Sequence, residues 1–189
     1  MPQDEILDQL LKNYTDLIKR VDAHIKQVAD AYPDEITCHK GCDSCCRFLT
    51  LFPVEAFALS RAFVALPNTD QEKIVESIES MEESGDNEPE HCPLLIDKIC
   101  LLYPARPVIC RTHGFPLYLE KDGEGLVDFC PENFKGMTSL PKDALINLDQ
   151  LNTLLTAVNK HFTTSIDGDI PDRIPISHAL FLCQDIMEE

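Results

Sequence analysis

Basic residues are scarce in this sequence of 189 residues: 16 lysines and arginines stand against 33 aspartates and glutamates, and the formal net charge is −17. A chain of this charge repels the phosphate backbone of nucleic acids, and no local cluster of basic residues offsets that repulsion. We therefore expect no nucleic-acid partner.

Long apolar runs are lacking as well. No stretch approaches the roughly 20 apolar residues that cross a bilayer, and residues 1–5 have neither the basic start nor the apolar run of a secretory signal. We therefore expect a cytoplasmic protein without a membrane partner.

Glycines number only seven, against thirteen prolines. The sequence has no glycine-rich phosphate-binding loop, no Ser/His/Asp motif and no recognisable cofactor-binding segment. These absences favour a binding function over a familiar class of enzyme. They leave room for an enzyme whose chemistry depends on a metal.

Apolar residues recur three and four positions apart in several segments, as is typical of helices with one buried face. This spacing predicts helices over residues 7–28, 54–66, 69–85, 145–162 and 176–187, with an acidic, solvated loop near 82–90. One β-hairpin is predicted, pairing residues 115–119 with 126–129. We therefore predict a mainly α fold, with helices packed around an irregular cysteine-rich metal-binding module and one short β-hairpin.

A chain of this length is sufficient for one core of ordinary size. We expect a single domain over residues 1–189. Its parts are an N-terminal amphipathic helix (1–33, ended by Pro33), a cysteine-cluster metal-binding region (34–134) and C-terminal helices (135–189).

The nine cysteines are the strongest signal in the sequence. A reducing cytoplasm keeps thiols reduced, so clustered cysteines there indicate metal binding or catalysis rather than disulfides. Four thiols fall within nine residues, in the pattern Cys38-x3-Cys42-x2-Cys45-Cys46, a density that an apolar core rarely needs. Four more lie in segments rich in proline or charge. We expect them to be ligands brought to the site from segments remote in the sequence: Cys92, Cys100, Cys110 and Cys130.

Soft thiolates select zinc, copper(I) or iron–sulfur centres over magnesium and calcium. Zinc and iron–sulfur clusters each commonly take four such ligands, so eight thiols suffice for two four-ligand centres, or for one centre plus reactive thiols. Adjacent side chains usually diverge. We therefore expect Cys45 and Cys46 to bridge, or to serve two neighbouring metals, rather than to close one mononuclear site.

The chain resembles the YkgJ-type cysteine-cluster family over about residues 36–132. Three stretches carry the resemblance: CHKGCDSCC at residues 38–46, CPLL at 92–95 and CLLYPARPVICR at 100–111. The resemblance implies a cytoplasmic protein that chelates zinc or iron, including iron–sulfur clusters, without an assigned reaction. A related cysteine block occurs in flagellin lysine methylases, so a metal-dependent redox or group-transfer enzyme is the alternative.

The first three cysteines also have the spacing found in radical S-adenosylmethionine enzymes, which hold a [4Fe–4S] cluster at the mouth of a partial β/α barrel. The chain after residue 50 does not alternate strand and helix in the way such a barrel requires. Ser44 also stands where an aromatic residue is expected before Cys45. We therefore disfavour this alternative.

Three residues beside the cysteines are candidates for a supporting role. Arg106 and Arg111 flank Cys110 and can offset the negative charge of buried thiolates, although pairing with surface carboxylates is the alternative. His113 is near enough to act as a ligand, a hydrogen-bond partner of a ligand or a base. Cys183 lies on an apolar helical stripe, and we expect it to be a core residue rather than a ligand.

Overall fold

The structure is a computed structural model that describes residues 3–83, 91–137, 139–166 and 168–183. Of these residues, 51% are helical and 13% lie in strands, in seven α-helices and three small sheets. The predicted mainly α fold with one hairpin is therefore wrong, and the fold is mixed. Most of the additional strands are two residues long, too short to show the alternation from which strands are predicted.

The helices follow the apolar stripes of the sequence. The N-terminal apolar stripe forms two helices, which are separated at Leu11. The second helix ends at Ala31, and its C-cap is Tyr32, one residue before Pro33. The third helix begins at Pro53, whose fixed φ suits the first helical position. The bounds are α1 (Gln3–Leu10), α2 (Lys12–Ala31), α3 (Pro53–Val64), α4 (Asn68–Glu83), α5 (Val108–Thr112), α6 (Leu148–Thr163) and α7 (Ile176–Ala179).

The strands form three separate small sheets. In the first, β1 (Thr50–Leu51) pairs antiparallel with β7 (Ile174–Pro175). In the second, β2 (Leu95–Ile96) pairs antiparallel with β3 (Ile99–Cys100). In the third, β4 (Leu117–Lys121) lies between β5 (Glu124–Asp128), which is antiparallel to it, and β6 (Ile146–Asn147), which is parallel to it.

Two hairpins turn through pairs of residues with positive φ, as tight two-residue hairpin loops require. Between β4 and β5 these residues are Asp122 (φ 54°) and Gly123 (φ 81°). Between β2 and β3 they are Asp97 (φ 49°) and Lys98 (φ 64°), so neither position has the glycine that usually marks such a turn. The second hairpin therefore has a weak sequence signal, and it was not predicted.

The cysteine-bearing segment after residue 91 is built into the hydrophobic core. Leu94 and Leu102, each 2% exposed, pack in one cluster with α3, α4 and α7. Val108 packs in a second cluster with α2, α3 and α6. Burying a side chain of this size contributes roughly 1.5–3 kcal/mol, so metal is not the only force that orders this segment. The expected irregular cysteine-rich module, with the helices packed around it, is therefore not confirmed, because this segment contributes residues to the helical core itself.

Several expectations fall on residues outside the described ranges. They are the helix end at Gly85, most of the acidic loop near 82–90 and the end of the terminal stripe at Met187. Within the described ranges, no helix is both long enough and apolar enough to cross a bilayer.

Candidate metal centre

The first four cysteines lie on the loop between α2 and β1. Two short turns shape this loop: the Cys42 amide donates to the His39 carbonyl at 3.1 Å, and the Cys46 amide donates to the Asp43 carbonyl at 3.0 Å. Gly41, at φ +103°, lies inside the first turn and has a positive φ, which favours glycine. The local backbone thus folds four thiols into a small space without help from a helix or a long strand.

The other four predicted ligands come from different elements. Cys92 precedes β2, Cys100 is the last residue of β3, Cys110 lies in α5 and Cys130 follows β5. A backbone hydrogen bond from the Cys92 amide to the Cys46 carbonyl, at 3.4 Å, joins this group to the first loop. The structure therefore brings both cysteine groups to one region.

One cavity of about 370 Å³ opens between the two groups. Seven of the eight predicted ligands line it: Cys38, Cys42, Cys45, Cys46, Cys92, Cys100 and Cys110. Its wall also includes apolar side chains such as Leu94, Leu102 and Ile176, which belong to the core. All eight thiols lie in the described ranges and none of them forms a disulfide there.

Asn133 fixes the position of Cys38. This asparagine is 1% exposed, and its Oδ1 accepts from the Thr37 amide at 2.9 Å and from the Thr37 hydroxyl at 3.1 Å. Its Nδ2 donates to the Gly114 carbonyl at 2.6 Å and to Cys38 Sγ at 3.2 Å. The backbone N–H of Asn133 also donates to the Cys130 carbonyl at 2.9 Å. The Asn133 side chain therefore orders the neighbourhood of Cys38, and its backbone N–H bonds to Cys130.

Gly114 is a point of close approach at the same place. Its φ of +99° lies in the region that favours glycine. An ideal β-carbon built on it would lie 2.8 Å from Cys38 Sγ and 3.6 Å from the β-carbon of Cys130. A side chain at residue 114 would therefore overlap the Cys38 sulfur, whereas its distance from Cys130 is an ordinary contact.

Arg106 and Arg111 have different surroundings. The Arg106 guanidinium lies 3.5 Å from the centroid of the Tyr103 ring, and its Nη1 donates to the Cys110 carbonyl at 3.4 Å. Arg111 is 8% exposed, pairs with both carboxylate oxygens of Asp22 at 2.8 Å and donates through Nε to the Arg106 carbonyl at 2.6 Å. Arg106 thus provides charge near the thiols, whereas Arg111 joins α5 to α2 and holds the loop that carries Arg106.

The histidines of the site are less constrained. His113 follows α5, is exposed and lines the cavity. His39 also lines it, and its Nδ1 lies 2.7 Å from the Thr37 carbonyl. Cys183, by contrast, is 4% exposed and packs in the cluster formed by α2, α3 and α6, away from this cavity.

Burial and mutual repulsion raise the pKa of Cys92 and of Cys110. Burial is the main cause that raises the pKa of Cys92 to about 12, and negative charge on Cys100 and Cys46 raises it further. Burial likewise raises the pKa of Cys110 well above its usual range, aided by negative charge on Cys92, Cys100 and Cys46, while Arg106 lowers it. A bound cation would relieve this repulsion, and its binding would release protons.

The same causes raise the pKa of Cys38 and of Cys45. Burial raises the pKa of Cys38, the hydrogen bond from Asn133 lowers it, and negative charge on Cys130, Cys42 and Cys45 raises it. Burial also raises the pKa of Cys45, as does charge on Cys46, Cys42 and Cys130. Each of these thiols therefore lies within electrostatic range of several others.

The donor set matches the chemistry of zinc and iron, because thiolates are the ligands that those metals share in four-coordinate protein centres. As the side chains stand, however, no three histidine, cysteine, aspartate or glutamate side chains in the described part of the chain form a group that could hold a metal ion. Metal binding therefore requires the sulfurs to move closer together. Short loops with few regular hydrogen bonds can accommodate such a movement.

Three supporting residues were missed by sequence reasoning: Asn133, Gly114 and Glu55. The Glu55 side chain is 4% exposed, and its Oε1 accepts from the Val108 amide at 3.0 Å, which ties α3 to the start of the helix that carries Cys110. A polar residue three positions after Cys130 is a weak signal for Asn133. Glu55 left no signal, because a glutamate near a helix start is ordinary.

A loop system that presents seven soft donors around one cavity is the arrangement expected of a metal-chelating cysteine domain. In agreement, residues 37–131 match the model of the CxxCxxCC family, described as "Putative zinc- or iron-chelating domain". The chain belongs to this family, which confirms the resemblance found in the sequence. Its first spacing has three residues between Cys38 and Cys42, where the family's name has two. Searches of curated proteins and of solved structures found no match.

Proposed function

We propose that this protein binds zinc or iron through Cys38, Cys42, Cys45, Cys46, Cys92, Cys100, Cys110 and Cys130. The observation that carries the proposal is that seven of these thiols line a single cavity although their residues are spread over 73 positions of the chain. Membership of a zinc- or iron-chelating family supports it independently. For iron, the proposal covers both a single ion and an iron–sulfur cluster, since both use thiolate ligands.

The supporting residues have roles that follow from their contacts. Asn133 orients Cys38, and Arg106 offsets the negative charge that thiolates develop near Cys110. Arg111 acts through Arg106, because its guanidinium is occupied by Asp22 and by backbone carbonyls. His113 is exposed and lines the same cavity, which supports it as a candidate nitrogen donor.

We further propose that the chain works as one unit in the reducing cytoplasm, where its thiols stay available for metal. Contacts between distant parts of the sequence support the single unit: Asp22 pairs with Arg111, and the Ser60 hydroxyl donates to the Leu180 carbonyl at 2.9 Å. The net charge of −17 supports the absence of a nucleic-acid partner.

Metal analysis of anaerobically purified protein, with an absorption spectrum, tests the proposal. We expect stoichiometric zinc in a colourless protein, or iron with acid-labile sulfide in a brown one. Cys42→Ser and Cys100→Ser should each lower the metal content, whereas Cys183→Ser, the matched control, should leave it unchanged. A wild-type protein that contains neither metal and takes up neither on reconstitution would refute the proposal.

A further inference from the structure

The wall of the cavity carries charge of the opposite sign to that of the whole chain. Aspartates and glutamates outnumber lysines and arginines by 33 to 16 in the sequence, yet none of those in the described ranges lines the cavity. Four basic side chains do line it: Arg47, Lys98, Arg106 and Arg111. A cleft lined by charges of one sign concentrates ligands of the other sign. This wall therefore favours an anionic ligand.

Arg106 is held in a fixed position with a donor to spare. Its guanidinium stacks on Tyr103, its Nε donates to the Tyr103 carbonyl at 3.0 Å, and its Nη1 donates to the Cys110 carbonyl at 3.4 Å. Arg111, which is itself paired with Asp22, donates to the Arg106 carbonyl at 2.6 Å. Within the described part of the chain, Nη2 of Arg106 makes no hydrogen bond. A guanidinium fixed in this way presents planar donors that match a carboxylate.

The turn between β2 and β3 adds a second cation. Lys98 lines the cavity from this turn, where its φ of 64° is uncommon for a lysine. Residues with such backbone angles persist where the surrounding structure holds them, and they cluster at ligand sites. The amine of Lys98 lies 3.8 Å from Asp43, and an exposed pair at this distance is weak. Lys98 can therefore still attract an anion.

Much of the remaining wall is apolar. Leu94 and Leu102, each 2% exposed, and Ile176, 1% exposed, all line the cavity. Its volume of about 370 Å³ lies in the range of sites that bind small molecules, about 300–1,000 Å³. A fully polar anion such as phosphate would gain nothing from this surface, whereas an anion with an apolar body would cover it.

We propose that the cavity binds a small organic carboxylate with an apolar body, a function beyond metal binding. The carboxylate accepts hydrogen bonds from Arg106, and Lys98 attracts it electrostatically. The apolar body lies against Leu94, Leu102 and Ile176. If the cations served only to offset the charge of the thiolates, the cavity would not prefer a carboxylate to the corresponding neutral amide.

Isothermal titration calorimetry of the full-length, reduced protein tests this site, with 3-phenylpropionate as the probe and neutral 3-phenylpropanamide as the matched ligand. We expect saturable binding of one carboxylate per chain and binding of the amide that is weaker by about tenfold or more, because hydrogen bonds between charged groups are the stronger ones. The absence of saturable binding, or equal affinities for the two ligands, would overturn the proposal. Metal content is measured on the same samples, so a protein that binds the carboxylate but no metal would contradict the proposed function alone.

Two matched variants assign the site to its residue. Arg106→Gln should weaken binding of 3-phenylpropionate by about tenfold or more and leave binding of the amide unchanged. The control is Arg173→Gln, because Arg173 also stacks on an aromatic ring, that of Phe52 at 3.8 Å, but does not line the cavity. This control should bind both ligands as the wild type does. Equal losses of carboxylate affinity in the two variants would count against the proposal.

A measurement on the wild-type protein covers the case in which Arg106→Gln fails to fold. Butanedione modifies arginine side chains, and mass spectrometry of the peptides gives the rate of modification at each one. We expect saturating 3-phenylpropionate to slow the modification of Arg106 several-fold and to leave that of Arg173 unchanged. Modification of Arg106 at the same rate with and without the ligand would refute the proposal.

Discussion

Replacing Asn133 tests whether the cavity depends on a single buried side chain. Asn133→Ala removes the acceptor of the Thr37 amide and hydroxyl and the donor to the Gly114 carbonyl and to Cys38 Sγ. A lost hydrogen bond costs about 1 kcal/mol, and a buried backbone group left without its partner costs about 1–3 kcal/mol. We therefore expect the free energy of unfolding to fall by about 2–4 kcal/mol.

Urea unfolding of the metal-free protein measures this loss, and a competition titration with a chromophoric chelator measures metal affinity. Because Asn133 orients a ligand, we expect affinity to fall by about 10–100-fold. The control is Asn147→Ala, which removes the cap of α6 on the Gln150 amide at 2.9 Å and should cost about 1 kcal/mol without changing affinity. Wild-type stability in Asn133→Ala, or an equal affinity loss in the control, would refute the reasoning.

Two further predictions concern the supports of the site. Burial raises the pKa of Glu55 above its ordinary value of 4.5, so the folded state holds this proton more tightly than the unfolded chain and loses stability as pH rises through that range. The measured quantity is the free energy of unfolding of the wild type minus that of Glu55→Gln, from urea titrations of metal-free protein. This difference should fall as pH rises above about 4.5. A difference that does not change with pH would contradict the reasoning. Gly114→Ala should destabilise the protein by more than Gly123→Ala, because both pay for a positive φ, about 1–2 kcal/mol, but only residue 114 meets Cys38. Equal unfolding free energies for the two variants would show that the contact at Gly114 can relax.

The sequence predicted the long helices and the family because both depend on repeated local signals. The three- and four-residue spacing marks α2 and α6, and Pro53 marks the start of α3. The β4–β5 hairpin was predicted, but the two two-stranded sheets could not be predicted in this way. The strand β1 pairs with β7 from the far end of the chain, and a two-residue strand carries no alternation to identify its partner.

The candidate ligands were visible in the sequence, whereas their grouping was not. Spacing alone predicts that Cys45 and Cys46 do not both belong to one mononuclear site, but it does not indicate which distant cysteine lies near which. That information lies in long-range contacts, such as the bond from the Cys92 amide to the Cys46 carbonyl and the approach of Cys38 to Gly114. Asn133 escaped notice for the same reason, since its partners Thr37 and Gly114 are remote in sequence.

The pairing of β1 with β7 has a consequence for the protein's synthesis. Thr50 lies opposite Pro175, and Leu51 opposite Ile174. The strand β1, which follows the first cysteine loop, can therefore pair only after β7 has been translated, roughly 120 residues later. At about 5–20 residues per second, a ribosome needs roughly 6–25 s for that stretch. During this interval the nascent loop at residues 38–46 is not anchored by its sheet, and its thiols are open to oxidants and to whichever metal ions reach the ribosome exit.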